Sequence, residues 1–166
     1  MRQFRRNCGR TGGAGPRFQR SDPRVASARN GPASPVRYEW RGAFANAEVN
    51  ELHADAYEHR LFDDDWQTLL ADHSLGWVTA RRDGGLVGFV YVVWDGQIHA
   101  WLQDVIVSSR SRRQGIGSQL IAVARRAAAD AGCEWLHVDF DDDLAPFYFG
   151  SGGFSPTSAG LINLRE

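Results

Sequence analysis

The alternation of apolar and polar positions along the chain predicts a mixed order of strands and helices. Val36-Arg37-Tyr38-Glu39-Trp40-Arg41 alternates and stops at Gly42, which predicts a first strand. From Ala47 to His59, Val49, Leu52, Ala56 and Tyr57 recur at helical spacing, and after Asp63-Asp64-Asp65 a second, shorter helix starts with Trp66, Leu69 and Leu70. Gly76 to Arg82 and Leu86 to Trp94 read as strands joined by a turn at Asp83-Gly84-Gly85, and Asp95-Gly96 turns the chain into a third, long strand from Gln97 to Val107. An amphipathic helix follows, with Leu120, Ile121, Val123, Ala124, Ala127 and Ala128 as its apolar stripe and Gly132 where its end belongs. Cys133 to Phe140 is then a strand that crosses back over this helix and lies parallel to the one before it. Ala145 to Gly150 predicts a short helix and Gly160 to Leu164 a last strand. The predicted order is β-α-α-β-β-β-α-β-α-β.

The join between the long third strand and the amphipathic helix carries the first chemical signal. Here a β-branched run, Val105-Ile106-Val107, passes into Ser108-Ser109-Arg110-Ser111-Arg112-Arg113-Gln114-Gly115-Ile116-Gly117-Ser118. Glycines 115 and 117 allow a ligand to approach the backbone, and the first amides of a helix lack partners inside it and sit at the positive end of its dipole. Three arginines add charge of the same sign, so the expected ligand is a phosphate or pyrophosphate. No Gly-Lys-Ser/Thr follows, which excludes a P-loop triphosphate site.

Composition narrows the class. With 166 residues, 43% of them hydrophobic, the chain is one domain's worth of soluble globular protein. No apolar run reaches the roughly 20 residues that cross a bilayer, and no secretory signal is evident, so a cytoplasmic location is expected. Cys8 and Cys133 lack any C-x-x-C partner, and His53 and His59 are six apart, not at helix-face metal spacing, so neither a disulfide nor a metal is expected. The net charge of −1 conceals an asymmetry, since residues 1–37 hold nine arginines against the single acid Asp22. Residues 1–35 lack apolar periodicity and are expected to be a disordered, Arg-rich tail preceding a folded domain at 36–166. A solvated tail is the simpler reading; binding to nucleic acid is not expected.

One constellation goes further. Arg112-x-x-Gly115-x-Gly117 follows an antiparallel meander, and an alanine-rich helix, a strand, Phe147-Tyr148 and Gly153-Phe154 come after it. This pattern resembles the GNAT superfamily of acyl-CoA-dependent N-acetyltransferases over roughly the last four fifths of the chain. The resemblance implies an α+β, three-layer fold: a mixed, mostly antiparallel sheet with flanking helices and one β-α-β crossover at the coenzyme. It implies acetyl-CoA as co-substrate, with its pyrophosphate on the amides of Arg112, Arg113, Gln114, Gly115, Ile116, Gly117 and Ser118. Backbone groups of Val105 and Val107 would meet the pantetheine, and the Val107 N–H would polarise the acetyl carbonyl. Tyr148 matches the tyrosine that protonates the leaving thiolate, although four residues separate it from Gly153, one more than the commonest spacing in that family.

The attacking amine must first lose a proton. On the same resemblance, Asp104 lies three residues before the strand end, where some members of the superfamily carry a substrate-facing acid, and is the candidate base; Gln103 faces the other side unless a bulge changes the register. His99 and His137 are alternative bases on strands, more simply read as core or edge residues. On the resemblance, Asp63, Asp64 and Asp65 between the first helices and Asp139 after the crossover strand lie at the substrate end, where carboxylates attract cations. The expected acceptor is therefore the primary amine of a small, polycationic molecule such as an aminoglycoside or polyamine. A protein or peptide amine, or a non-catalytic acyl-CoA-binding module with a basic tail, are the alternatives. Self-association into a homodimer is left open.

Overall fold

A computed structural model describes residues 34–165, so the expected tail lies outside the described residues except for its last two positions. Five strands form one sheet in the order β1 (Arg37–Trp40), β2 (Gly76–Arg82), β3 (Gly85–Trp94), β4 (His99–Val107), β5 (Trp135–Val138). Neighbours from β1 to β4 pair antiparallel, and β5 joins β4 in parallel after the crossover helix α3 (Ile116–Asp130). Helices α1 (Asn46–Tyr57) and α2 (Trp66–His73) cover the opposite face. The predicted three-layer arrangement is therefore present.

Strand alternation divides the side chains between two cores. Val78 and Ala80 of β2, Val90 and Val92 of β3 and Ala100 and Leu102 of β4 meet Ile116, Leu120, Ile121, Ala124 and Ala128 of α3. Phe89 and Ile106 point the other way, onto Val49, Leu52, Trp66 and Leu70 of α1 and α2. Each fully buried large aliphatic residue contributes on the order of 2 kcal/mol, before the entropy of ordering it. Helix α3 sits close on the sheet because position 88 has no side chain: a Cβ there would lie 3.0 Å from both Ile116 Cγ2 and Leu120 Cδ1.

The predicted strand at Gly160–Leu164 does not form. Leu161, Ile162 and Leu164 are 84%, 81% and 90% exposed. Apolar side chains at 161, 162 and 164 do not keep to one side of a pleat, so pairing this segment would not bury them together. The short helix predicted at 145–150 is a π-helical turn, Pro146–Ser151, in which the Gly152 N–H donates to the Phe147 carbonyl at 2.8 Å. That five-residue step takes up the extra residue between Tyr148 and Gly153. No helix among the described residues is long and apolar enough to cross a membrane.

One ion pair ties α1 to the sheet. Ala45, at the start of α1, has no side-chain acceptor, so only half of a capping box forms, the Ala45 N–H donating to Glu48 Oε2 at 2.9 Å. The same carboxylate takes two bonds of 2.7 Å from Arg81 of β2, whose guanidinium also reaches the Ala43 and Gly84 carbonyls. Hydrogen bonding from Arg81 holds the Glu48 carboxyl below its ordinary 4.5. A carboxyl depressed by folding stabilises the protein above its unfolded pKa and stops doing so as the pH falls through its folded value. Glu48→Gln should therefore cost about 1 kcal/mol in urea unfolding at pH 7, a value set by the pair's partial exposure, and progressively less as the pH falls below the ordinary carboxyl value.

Candidate active site

The long strand β4 makes the site by changing face halfway along. Phe89 pairs with Ile106 and Tyr91 with Gln103, so Asp104 and Val105 together oppose Val90 alone, and Asp104 has left-handed backbone at φ 48°. Aspartate tolerates that conformation better than most residues. Before the bulge, Ala100 and Leu102 face α3; after it, Val105 and Val107 do, and Ile106 turns to α1. The Asp104 carboxylate is left against the end of α1, where Tyr57 Oη donates to its Oδ1 at 3.2 Å and His53 Nε2 lies 3.6 Å from the same oxygen.

Three phenols share this carboxylate's field. Tyr148, buried in the α3-side core and stacked on Phe140 at 4.4 Å, is pushed up to about 12, first by burial and then by the Asp104 charge. Tyr91 of β3 is raised to about 12 by the same two causes. Tyr57 is raised above 10 as well, by desolvation first and then by Asp104. The residue as a whole is 44% exposed, while its hydroxyl reaches the carboxylate. All three hydroxyls stay protonated near neutrality and can donate.

Beside the carboxylate the backbone of β4 is open on one side. Pairing with β5 stops at Leu102, while pairing with β3 continues to Val107. The Ser108 N–H donates to the Val87 carbonyl of β3 at 3.0 Å, so alternation sends the amides of Val107 and Val105 the other way, into the gap between β4 and β5. A short 3₁₀ turn, Ser109–Ser111, and Arg113 with φ 59° then bring the chain to Gly115, whose φ of 78° favours glycine. Helix α3 starts at Ile116. Gly115 caps it without a side chain, leaving the amides of Ile116, Gly117 and Ser118 free of intrahelical bonds. Gly117 is fixed by packing: a Cβ would lie 3.0 Å from Phe147 Cζ and 3.8 Å from Val107 Cγ2.

Side chains of the loop hold it in place. Ser109 donates to Asp55 through N and Oγ at 2.7 and 2.8 Å, which lowers the Asp55 carboxyl, the backbone bond contributing most. The Arg112 guanidinium donates to the Ala56 carbonyl at 2.7 Å and, more weakly, to Val107 O at 3.4 Å, so it ties the loop to α1 and β4. Gln114 accepts from Arg82 at 2.9 Å. Arg113 is exposed.

The expected acidic substrate groups are not one cluster. Asp65 caps α2, accepting from Thr68 N, Thr68 Oγ1 and Asn46 Nδ2, and these bonds depress its carboxyl, the Thr68 hydroxyl first. That occupies it with local structure. Asp64 exchanges backbone bonds with the Asn50 side chain. Asp63 and Asp139 are exposed. His99 and His137 pair with each other at 2.8 Å and stack with Trp101, away from Asp104 in the β4 register. Among the described residues no group of three or more His, Cys, Asp or Glu is placed to hold a metal.

Tyr57, Tyr91, His53, His59 and Arg82 have no place in the sequence-based site. Of these only Tyr57 and His53 carry a usable signal, their separation of four residues, which puts them on one helix face.

Residues 38–150 match the Acetyltransferase (GNAT) family, and the chain belongs to it. A thialysine N-epsilon-acetyltransferase from Sus scrofa is 41% identical over 54 residues, a match spanning 32% of this chain and 31% of that protein. An aminoalkylphosphonate N-acetyltransferase from Salmonella typhimurium is 29% identical over 114 residues, 64% of this chain and 74% of its own length. Among solved structures, an aminoglycoside acetyltransferase from an uncultured soil metagenomic sample shares the fold, with a TM-score of 0.65 and 21% identity over 79% of this chain and 97% of that one.

The tight seat of Gly117 gives a test of the loop. Gly117→Trp puts an indole where Phe147 packs and over the first amides of α3. Calorimetric titration should show at least a hundredfold weaker acetyl-CoA binding, with the far-ultraviolet circular dichroism of the wild type retained.

Proposed function

We propose that this chain transfers the acetyl group of acetyl-CoA directly to the primary amine of a small cationic molecule, without an acyl-enzyme. The observation that carries the reading is the β4 bulge, because one backbone irregularity sets a carboxylate among phenols beside two outward-facing strand amides. In this reading the amides of Gly115, Ile116, Gly117 and Ser118 hold the coenzyme pyrophosphate at the positive end of α3. Amides of Val105 and Val107 bind the pantetheine arm, and the Val107 N–H stabilises charge developing on the acetyl oxygen. The Arg112 guanidinium supports the loop through Ala56 and Val107.

Asp104 receives the proton that an ammonium acceptor must lose before it attacks. Its charge also favours a cation in the ground state, and we assign Asp63, Asp64 and Asp139 to the same end on charge alone. Tyr148 supplies the proton that the departing thiolate needs. The acceptor class is supported by the relatives, whose names specify thialysine, an aminoalkylphosphonate and an aminoglycoside.

Free-thiol release from acetyl-CoA, measured with aminoglycosides, polyamines, amino acids and peptide N-termini, tests the reading. Turnover with one of the small cationic amines is expected, and no turnover with any of these amines overturns it.

Asp104→Asn and Tyr148→Phe should each lower kcat about a hundredfold, with the affinity for acetyl-CoA unchanged. Since the Tyr148 hydroxyl titrates near 12 rather than at the ordinary 10.0, the wild-type rate should hold its plateau through pH 10. An ordinary phenol would be half ionised there. A fall beginning near pH 9 would exclude Tyr148 as the donor.

A further inference from the structure

Two histidines next to Asp104 form a chain that the transfer reading leaves unused. Helix α1 ends at Tyr57, and Glu58 takes left-handed backbone at φ 54°. The chain therefore folds back and sets His59 against His53, six residues earlier. His53 Nδ1 and His59 Nε2 are 2.7 Å apart, and His59 Nδ1 is 2.6 Å from the Arg60 carbonyl oxygen. At the other end, His53 Nε2 faces Asp104 Oδ1 at 3.6 Å.

The carbonyl sets the direction of the chain. A carbonyl oxygen only accepts, so His59 Nδ1 carries a hydrogen. Neutral His59 then has its lone pair on Nε2, and His53 Nδ1 must be the donor between the rings. Neutral His53 is left with its lone pair on Nε2, directed at the carboxylate. Two acceptors thus face each other across Asp104 and His53, with room for one proton between them.

The surroundings suit a relay. Trp66 of α2 lies 5.6 Å from the His53 ring, Tyr57 of α1 lies 4.6 Å from it, and Phe62 covers His59 at 4.6 Å. The titratable groups facing His53 are Asp104 from β4, Tyr57 from its own helix and His59 from the following loop. Beyond them, Tyr91 of β3 and Tyr148 of the π-helical turn lie in the field of Asp104, and the Arg60 guanidinium sits over Phe62 at 4.5 Å. His53 has 12% of its side chain exposed, whereas His59 lies toward the surface in the loop.

We infer that His53 and His59 are positioning residues that carry the acceptor amine's proton away from Asp104. The inference rests on the acetyl-transfer reading. One N–H bond of the ammonium breaks with its electron pair left on nitrogen, and the proton passes to an Asp104 oxygen. It then moves to His53 Nε2, the O–H bond breaking as the N–H bond forms. Asp104 on one side and His59 on the other stabilise the imidazolium, which yields its proton to water after transfer. The second proton lost by the amine ends on the coenzyme thiol, so each turnover releases one proton to solvent.

Two measurements on the full chain test this. Imidazole nitrogen NMR of the wild type, which needs no substrate, should show His53 protonated on Nδ1 with its lone pair on Nε2; the opposite tautomer overturns the relay. In the thiol-release assay, His53→Gln should lower kcat about thirtyfold at pH 7, with the KM for acetyl-CoA unchanged. That loss should shrink toward pH 10, where an alkyl amine of pKa about 10.4 begins to arrive already deprotonated. His59→Ala should cost about tenfold at pH 7, and His59→Gln, whose amide oxygen can accept from His53 Nδ1, should restore most of it. If His53→Gln keeps the wild-type rate and pH profile while Asp104→Asn shows its hundredfold loss, the relay is overturned and the transfer reading stands. A wild type that turns over no amine overturns both.

Discussion

The left-handed residue in the middle of β4 is the constraint on which both halves of the site depend. Holding Asp104 at φ 48° costs on the order of 1–2 kcal/mol. Burying Ile106 on the α1 side, where it is 2% exposed, returns a similar amount. Without the bulge, Ile106 would fall among the α3-side residues, and Val105 and Val107 would face α1. Both cores would then lose their fit at this edge. The strained conformation persists because side chains on both faces of the sheet specify it together.

Helix α1 couples what the bulge sets apart. Its last two turns supply His53 and Tyr57 to the Asp104 carboxylate, Asp55 to Ser109 and the Ala56 carbonyl to Arg112. The carboxylate and the loop before α3 are thus braced by the same few residues of one helix. That helix is in turn held to β2 by Glu48 and Arg81. A shift of α1 would therefore move the Asp104 surroundings and the loop before α3 together. On the other face, Gly88 and Gly117 set how closely α3 approaches the sheet and the π-helical turn.

The parts of the site legible in the sequence are those built by local chemistry. Glycines 115 and 117 before an apolar helical stripe announce a helix start whose first amides are uncapped by a side chain, and β-branched runs with Asp-Gly turns announce the meander. Asp104 is a candidate through the family resemblance at its place near a strand end, but its facing is not legible, since a period of two cannot show where it is interrupted. The same limit applies to His59. Six residues never share a helix face, and only the left-handed Glu58 brings the two rings together. Asp65 was ambiguous for another reason: a carboxylate ahead of a helix reads equally as substrate ligand and as N-cap, and Thr68 three residues on decides for the cap. The last predicted strand rested on apolar content alone, and Leu161, Ile162 and Leu164 have no buried face to share.

On the proposed roles, the electrostatics also order the proton steps. An ionised Asp104 is the second cause, after burial, that raises Tyr148 and Tyr91, and it raises Tyr57 too. While the carboxylate is charged, Tyr148 is a poor acid and holds its proton. Once Asp104 takes the ammonium proton, that charge is gone, and Tyr148 becomes a stronger donor as the amine becomes a nucleophile. If the proton then moves to His53, the charge returns to Asp104 with an imidazolium beside it, and the pair exerts a weaker field at distance than a lone carboxylate does. Donation to the thiolate is therefore favoured after the amine has been deprotonated, not before. On those roles a single half-buried carboxylate, turned by one bulge toward Tyr57 and an imidazole and charged within reach of two further phenols, links the two proton transfers.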